Sequence, residues 1–267
     1  MIRSGKRSVL GIQVDMIDYD GAVQSILQGA RNHEPLSVSA LAVHGLMLGV
    51  FDREQRYRLN SLNLLVPDGQ PIRWALNWLH GSGLTDRVYG PNLTLAVCRR
   101  AEEEQLPVYF YGATPEILAL LTKNLLRMFP RLILAGTRSS KFRKLTSEEK
   151  EEIVADIRGT GTSIVFVGLG CPRQEVWAYE FRDALCCPVI AVGAALPFIA
   201  GTIAQAPTWM QDRGLEWLFR LRTEPRRLWR RYLLLNPAFL ALLLLQAIGV
   251  IRFSNAGKMP AQELLYG

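Results

Sequence analysis

The feature that most constrains this chain is a repeated junction: a short apolar, β-rich run, then a glycine or turn, then an amphipathic helical pattern. Such runs occupy residues 62–66, 108–111, 132–135, 164–167 and 189–192, and helical patterns fill 93–105, 115–129, 147–157 and 174–185. A strand that is apolar throughout is buried on both faces. Alternation of such strands with helices predicts an α/β fold with a mostly parallel sheet flanked by helices. Helix starts are marked by Thr146 with Glu149 three residues on, by Pro115 after Thr114, and by Asp20, which is expected to cap a helix over 21–30.

Composition sets the limits. With 267 residues, 49% hydrophobic and 21% charged, the chain can build one large core, and global disorder is excluded. Four cysteines with no CxxC spacing and three scattered histidines make neither a disulfide framework nor a zinc site, so a reducing setting is expected. The Cys186–Cys187 pair reads as buried and inert. The basic N-terminus lacks the apolar stretch of a signal peptide.

The net charge of +7 is uneven: from Asp212 onward nine basic residues face four acids. Arg220, Arg222, Arg226, Arg227, Arg230 and Arg231 are interleaved with Leu218, Phe219, Leu221, Leu228 and Trp229, a pattern suited to a membrane surface or a phosphate-bearing ligand. No nucleic-acid recognition motif accompanies it. Residues 232–251 are nearly free of charge, but Asn236–Pro237 is expected to interrupt them. A helix lying on the membrane or packing on the core is favoured over a span. The chain thus divides into an α/β core, 1–207, and a basic, apolar helical C-terminal appendage, 208–267.

Several junctions carry polar residues. The octet from Gly168 to Glu175 follows a strand and opens a helix, where free N–H groups bind phosphates. Its GxG alone reads as a tight turn; the Arg173–Gln174–Glu175 trio after Pro172 reads as a ligand loop. It is not a dinucleotide fingerprint, because Arg173 holds the third glycine position. Asp68, between Pro67 and Gly69 at a strand end, can serve as a general base, although by itself it reads as an Asp–Gly turn. Gly112 to Pro115 and Gly193 to Ala195 end two more strands, and several such ends predict a ligand crevice. Asp18–Tyr19–Asp20 has a metal-binding DxD form but reads as helix capping. His44, in an apolar neighbourhood, reads as a hydrogen-bonded core residue.

Together these residues resemble the WecG/TagA/CpsF glycosyltransferase family (glycosyltransferase family 26). The carriers are Val66-Pro-Asp-Gly-Gln70, Asp86-Arg-Val-Tyr-Gly-Pro-Asn-Leu93, Tyr111-Gly-Ala-Thr-Pro115, Phe129-Pro-Arg-Leu132, the octet from Gly168, Ala206-Pro-Thr-Trp209, and Gly214-Leu-Glu-Trp-Leu-Phe-Arg-Leu221 followed by Glu224-Pro-Arg-Arg227. The match covers about 9–245. The resemblance implies a Rossmann-like fold with a membrane-associating C-terminal appendage. It also implies an inverting transferase in bacterial cell-surface polysaccharide biosynthesis. Such an enzyme moves an N-acetylmannosamine-type sugar or a uronic acid from a UDP-sugar donor to a polyprenyl-diphosphate-linked acceptor at the cytoplasmic membrane face. No metal or other cofactor is implied; a homo-oligomer is left open.

Carried over residue by residue, Asp68 would be the base and Arg87 would sit near the donor phosphates. Gln174 and Glu175 would line the donor-sugar pocket, with Gly69, Gln70, Gly112, Thr114, Gly168, Gly170 and Gly193 completing the donor side. The arginines Arg220, Arg222, Arg226, Arg227, Arg230 and Arg231 would meet the acceptor diphosphate and the membrane. The sequence departs from the family's pattern at Ala42, Asn92, Pro197 and Gln205. These changes leave open a catalytically weak member that scaffolds a polysaccharide-assembly complex. A nucleotide-dependent oxidoreductase is disfavoured by the missing glycine fingerprint.

Overall fold

The computed structural model describes residues 2–267, without the side chains of Arg3, Ser4, Arg227 and Arg231. The sequence expectations for the Arg227 and Arg231 side chains therefore lie outside the described residues. In chain order the elements are β1 (Arg3–Val9), β2 (Ile12–Ile17), α1 (Tyr19–Asn32), β3 (Leu36–Leu41), α2 (Val43–Phe51), α3 (Arg53–Ser61) and β4 (Leu64–Pro67). There follow α4 (Gln70–His80), α5 (Gly90–Glu104), β5 (Val108–Gly112), α6 (Pro115–Met128), β6 (Leu134–Arg138), α7 (Ser147–Gly159), β7 (Ile164–Gly168) and α8 (Arg173–Leu185). The chain continues through β8 (Pro188–Ala191), α9 (Ala195–Ala200), α10 (Thr208–Asp212), α11 (Glu216–Thr223) and α12 (Pro225–Ala247).

Six strands form one parallel sheet in the order β4-β3-β8-β7-β5-β6, and β1 and β2 form a separate antiparallel hairpin. Period-two alternation splits the core into two layers, one on each face of the sheet. Tyr109, Tyr111, Val165, Val167, Val189 and Ala191 face one layer, with Trp177 and Phe181 of α8. Val108, Phe110, Ile164, Phe166, Ile190 and Val192 face the other, with α1, α5, α6 and α9. Trp177 stacks on Phe181 at 4.0 Å and on Tyr111 at 4.8 Å, and Phe110 stacks on Phe166 at 5.0 Å. This double burial is why these strands read as unbroken apolar runs. All carboxyl ends of the parallel sheet lie on one side, which places the turns after β3, β4, β5, β7 and β8 together.

Four details differ from the sequence reading. First, α1 starts earlier than expected: its cap is Asp18, whose side chain accepts from the N–H of Gly21 at 2.9 Å, while Asp20 lies in the first turn. Second, β3 was hidden because its alternate residues, Ser37 and Ser39, are polar; both are fully buried and bonded, to Asn63 and Glu175. Third, Pro237 does not end the last helix, and α12 runs through it. Fourth, Cys187 is buried but Cys186 is exposed.

The helix α12 packs along α2 and buries Leu228, Phe239 and Leu243. Gln246 fastens its far end: its amide oxygen accepts from the N–H of Leu10 in the β1–β2 turn at 2.9 Å. Beyond it the chain is not helical. It returns over the core, donating from Lys258 N–H to the Arg53 carbonyl at 2.8 Å and from Leu264 and Leu265 N–H to Glu180 at 2.7 and 3.0 Å.

Candidate active site

At the end of β4 the chain places Asp68 under the first turn of α5. Its Oδ1 accepts from the N–H of Gly90 at 2.6 Å, one of the free donors of a helix N-terminus. Burial pushes the Asp68 carboxyl up to about 6; Arg87 and the Gly90 N–H oppose that rise, Glu216 adds to it and Arg220 opposes it. The group is therefore ionised at neutral pH yet far more basic than an ordinary aspartate.

Arg87 lies beside it, buried, with its guanidinium 4.2 Å from the centre of the Tyr89 ring. Its Nη2 donates to Glu216 Oε2 at 2.7 Å, and the Tyr89 hydroxyl donates to Glu216 Oε1 at 3.0 Å. Burial lowers the affinity of Arg87 for its proton, but Asp68 and Glu216 outweigh it and hold the guanidinium charged. In the sequence Glu216 stands out only as one letter of a motif. The one signal that could have found it is an acid at the head of an arginine-rich stretch.

The octet's turn is built from its own side chains. The Gly170 N–H donates to Gln174 Oε1 at 3.1 Å, and Gln174 Nε2 donates to Glu175 Oε1 at 3.0 Å. Ser39 Oγ reaches the same Glu175 oxygen at 3.2 Å. Burial raises the Glu175 carboxyl above its ordinary value, with hydrogen bonds from Gln174 and Ser39 opposing. At the neighbouring junction Gly112 has φ +104°, and an added Cβ would lie 2.8 Å from the Gly168 carbonyl oxygen. Gly112→Ala is therefore expected to cost at least ~1 kcal/mol of stability in urea unfolding, the lower limit for a forced positive φ plus a backbone clash.

These turns surround two cavities that meet. The larger, about 320 Å³, is lined by Ala113, Thr114, Gly168, Gly170, Cys171, Gln174, Glu175, Gly193, Pro197 and Phe198. The smaller, about 100 Å³, is lined by His44, Gly69, Gln70, Arg87, Trp217, Tyr232 and Asn236. Ala42, Asp68, Glu216 and Arg220 line both. The carboxylate of Asp68 thus stands where the two spaces join, with charged groups from α11 on the same wall.

A family model, the glycosyl transferase WecG/TagA/CpsF family, matches residues 7–252. The chain belongs to that family. One curated relative, from Bacillus spizizenii (strain ATCC 23059 / NRRL B-14472 / W23), is 29% identical over 176 residues, covering 66% of each chain. That relative is named N-acetylglucosaminyldiphosphoundecaprenol N-acetyl-beta-D-mannosaminyltransferase.

Most residues anticipated for the site of this family member converge. Asp68, Thr114, Gly168, Gly170, Gln174, Glu175, Gly193 and Arg220 reach the larger cavity. Gly112 shapes its floor from behind, through its contact with Gly168. Gly69, Gln70 and Arg87 open instead on the smaller cavity, on the far side of Asp68. Buried Gln70 leaves its Oε1 without a hydrogen-bond partner among the described residues. His44, expected in the core, is half-buried on the same wall. Arg222, Arg226 and Arg230 are exposed and line neither cavity. Of the four departures from the family pattern, Ala42 and Pro197 are at the cavity walls, whereas Asn92 and Gln205 are exposed and line neither.

Proposed function

We propose that the transferase moves a sugar of the N-acetylmannosamine or uronic-acid type from a UDP donor to a polyprenyl-diphosphate-linked acceptor, with inversion, at the cytoplasmic face of the membrane. The single observation that carries this reading is the position of Asp68 at the junction of two cavities. The larger holds a nucleotide-sugar donor against the glycine turns and Gln174–Glu175. The smaller receives the acceptor sugar beside Trp217 and Tyr232, whose tilted rings pack on each other with centres 6.1 Å apart on its wall. There the free Oε1 of Gln70 accepts from a hydroxyl or amide of that sugar. The relative's named acceptor, a lipid diphosphate bearing N-acetylglucosamine, fits this assignment.

The chemistry follows from the geometry. Asp68 takes the proton of the acceptor hydroxyl as its oxygen bonds to the anomeric carbon. The bond from that carbon to the UDP oxygen breaks on the opposite side, and UDP leaves with the electron pair. Arg220, which lines both cavities, stabilises the charge that develops on the UDP phosphates, and Arg87 adds positive charge beside Asp68 from the acceptor side. Incubation with UDP-sugars, with and without a lipid-diphosphate N-acetylglucosamine, tests the reading. Acceptor-dependent UDP release and a disaccharide-lipid product in mass spectrometry are expected.

The reaction is proposed to need no divalent metal. Among the described residues no cluster of three or more His, Cys, Asp or Glu is arranged to hold one. Asp18, of the DxD-like segment, accepts from the N–H groups of Gly21 and Ile2 at 2.9 and 2.6 Å. EDTA is expected to leave the transfer rate unchanged; strict dependence on Mg²⁺ or Mn²⁺ that disappears in Asp18→Ala would overturn this.

A further inference from the structure

We infer that Glu216 is a positioning residue: its carboxylate fixes the Arg87 guanidinium against Tyr89 and beside Asp68, making α11 a structural part of the catalytic centre. The inference rests on the reading of Asp68 as the base.

Three observations carry it. Glu216 is buried within an arginine-rich segment, although acids are seldom buried unless paired. Both of its oxygens are used, one by Arg87 at 2.7 Å and one by the Tyr89 hydroxyl at 3.0 Å. Both partners are well over a hundred residues away in sequence and lie just before Gly90, whose N–H donates to Asp68. A structural ion pair between surfaces would not lie on the wall shared by the two cavities, as Glu216 does.

The physical consequence concerns Asp68. The groups facing it are Arg87, Tyr89 and the Gly90 N–H from the α5 side, Glu216 and Arg220 from α11, and Tyr19 from α1. His44 of α2 lines the smaller cavity with it. Glu216 acts twice in the same direction. Its negative charge favours the protonated form of Asp68, and by engaging Arg87 it keeps that cation from pairing directly with Asp68. Without it, Arg87 turns to Asp68, which becomes a weaker base in a displaced geometry.

The test uses the full chain. In protein carrying ¹³C-aspartate, the Asp68 carboxyl is titrated by NMR in wild type, Glu216→Gln and Glu216→Asp, a measurement that needs no substrate. In Glu216→Gln the Asp68 midpoint should move down by about half a unit or more. The kcat with UDP-N-acetylmannosamine and a short-chain lipid-diphosphate N-acetylglucosamine should fall ~10-fold to ~10²-fold, the scale of a misplaced catalytic geometry. Glu216→Asp keeps the charge but shortens the reach, so the midpoint should stay while kcat falls. An unmoved midpoint and unchanged kcat in folded Glu216→Gln would overturn the inference. Should that variant not fold, wild-type kcat in Glu216→Asp would do so. Turnover in Asp68→Asn separates the two readings. If Asp68→Asn stays active while Glu216→Gln shifts the midpoint, the base assignment fails and the positioning stands. If Asp68→Asn is inactive while Glu216→Gln is unaltered, the base assignment stands and the positioning fails.

Discussion

Asp68→Asn is expected to lower transfer by at least ~10²-fold, the lower range for loss of a general base, while leaving UDP binding nearly unchanged. Asparagine keeps the size and can still accept from the Gly90 N–H, so the α5 turn survives. What it loses is the ability to take a proton. The wild-type rate should rise as pH passes about 6, where Asp68 ionises, and that limb should be absent from whatever activity the variant retains. Calorimetric UDP titration separates the outcomes: loss of UDP binding would mean that the substitution had damaged the donor cavity instead.

The same substitution carries a stability signature of opposite sign. The folded-state value of Asp68, about 6, lies above its ordinary value of 3.8. Between these two pH values the folded chain binds more protons than the unfolded one, so this group's contribution to stability falls as pH rises through that window. Above it the cost of holding an ionised carboxylate in the fold is fully present. Asparagine removes that cost. Asp68→Asn should therefore melt higher than wild type at mildly alkaline pH, by about 2 °C or more if even 1 kcal/mol is recovered. The difference should shrink as pH falls toward 4. A variant that is inactive yet more stable is the mark of a residue retained for chemistry, and an inactive variant that melts lower would point to a structural carboxylate.

How much of this was legible in the sequence depended on which residues were asked to do two things. Strands β5, β7 and β8 serve burial alone, on both faces, and their apolar runs showed them within a residue or two. Strand β3 serves burial and also the polar shell of the site: Ser39 must reach Glu175, and Ser37 must reach Asn63. Its alternation with serine erased the signal of a central strand. Asp68 and the octet from Gly168 were visible because turns at strand ends have few residue choices. Glu216 was not, because its meaning lies wholly in partners brought together by the fold. The division of labour between the cavities was equally hidden: Gly69 and Gln70 adjoin Asp68 in sequence, but the chain reverses there, so they face the smaller space. Pro237 misled because proline usually stops a helix, whereas here it sits on the exposed side of α12, and the packing of Leu228, Phe239 and Leu243 holds both halves in line.

That packing decides how the C-terminal helix can meet a bilayer, the second large effect expected. By length and composition Leu228–Ala247 could cross a membrane. To do so it would have to withdraw Phe239 and Leu243 from the core and break the bond from Leu10 to Gln246, several kcal/mol in all. Its other face is different. Trp229, Leu233, Leu240 and Leu244 are exposed and fall on one stripe of the helix. Arg222, Arg226 and Arg230 are exposed nearby along the chain. The arrangement suits a helix lying in the membrane plane with its inner face kept on the protein. The two contributions respond differently to salt: arginine attraction, about 1 kcal/mol each on anionic lipid, is screened, and burial of the apolar stripe is not. Full-length protein should therefore bind anionic vesicles and keep a bound fraction at high salt. Replacing Trp229, Leu233, Leu240 and Leu244 together by serine removes only exposed groups, so the fold should hold. Each apolar side chain contributes about 1.5–3 kcal/mol when fully buried, and partial immersion of four accounts for a loss of about 10²-fold or more in vesicle partitioning, concentrated in the salt-resistant fraction. Transfer to a lipid-linked acceptor should fall with it, while UDP binding does not. Undiminished salt-resistant binding in this variant would assign the membrane contact to another surface and leave the stripe of α12 without that role.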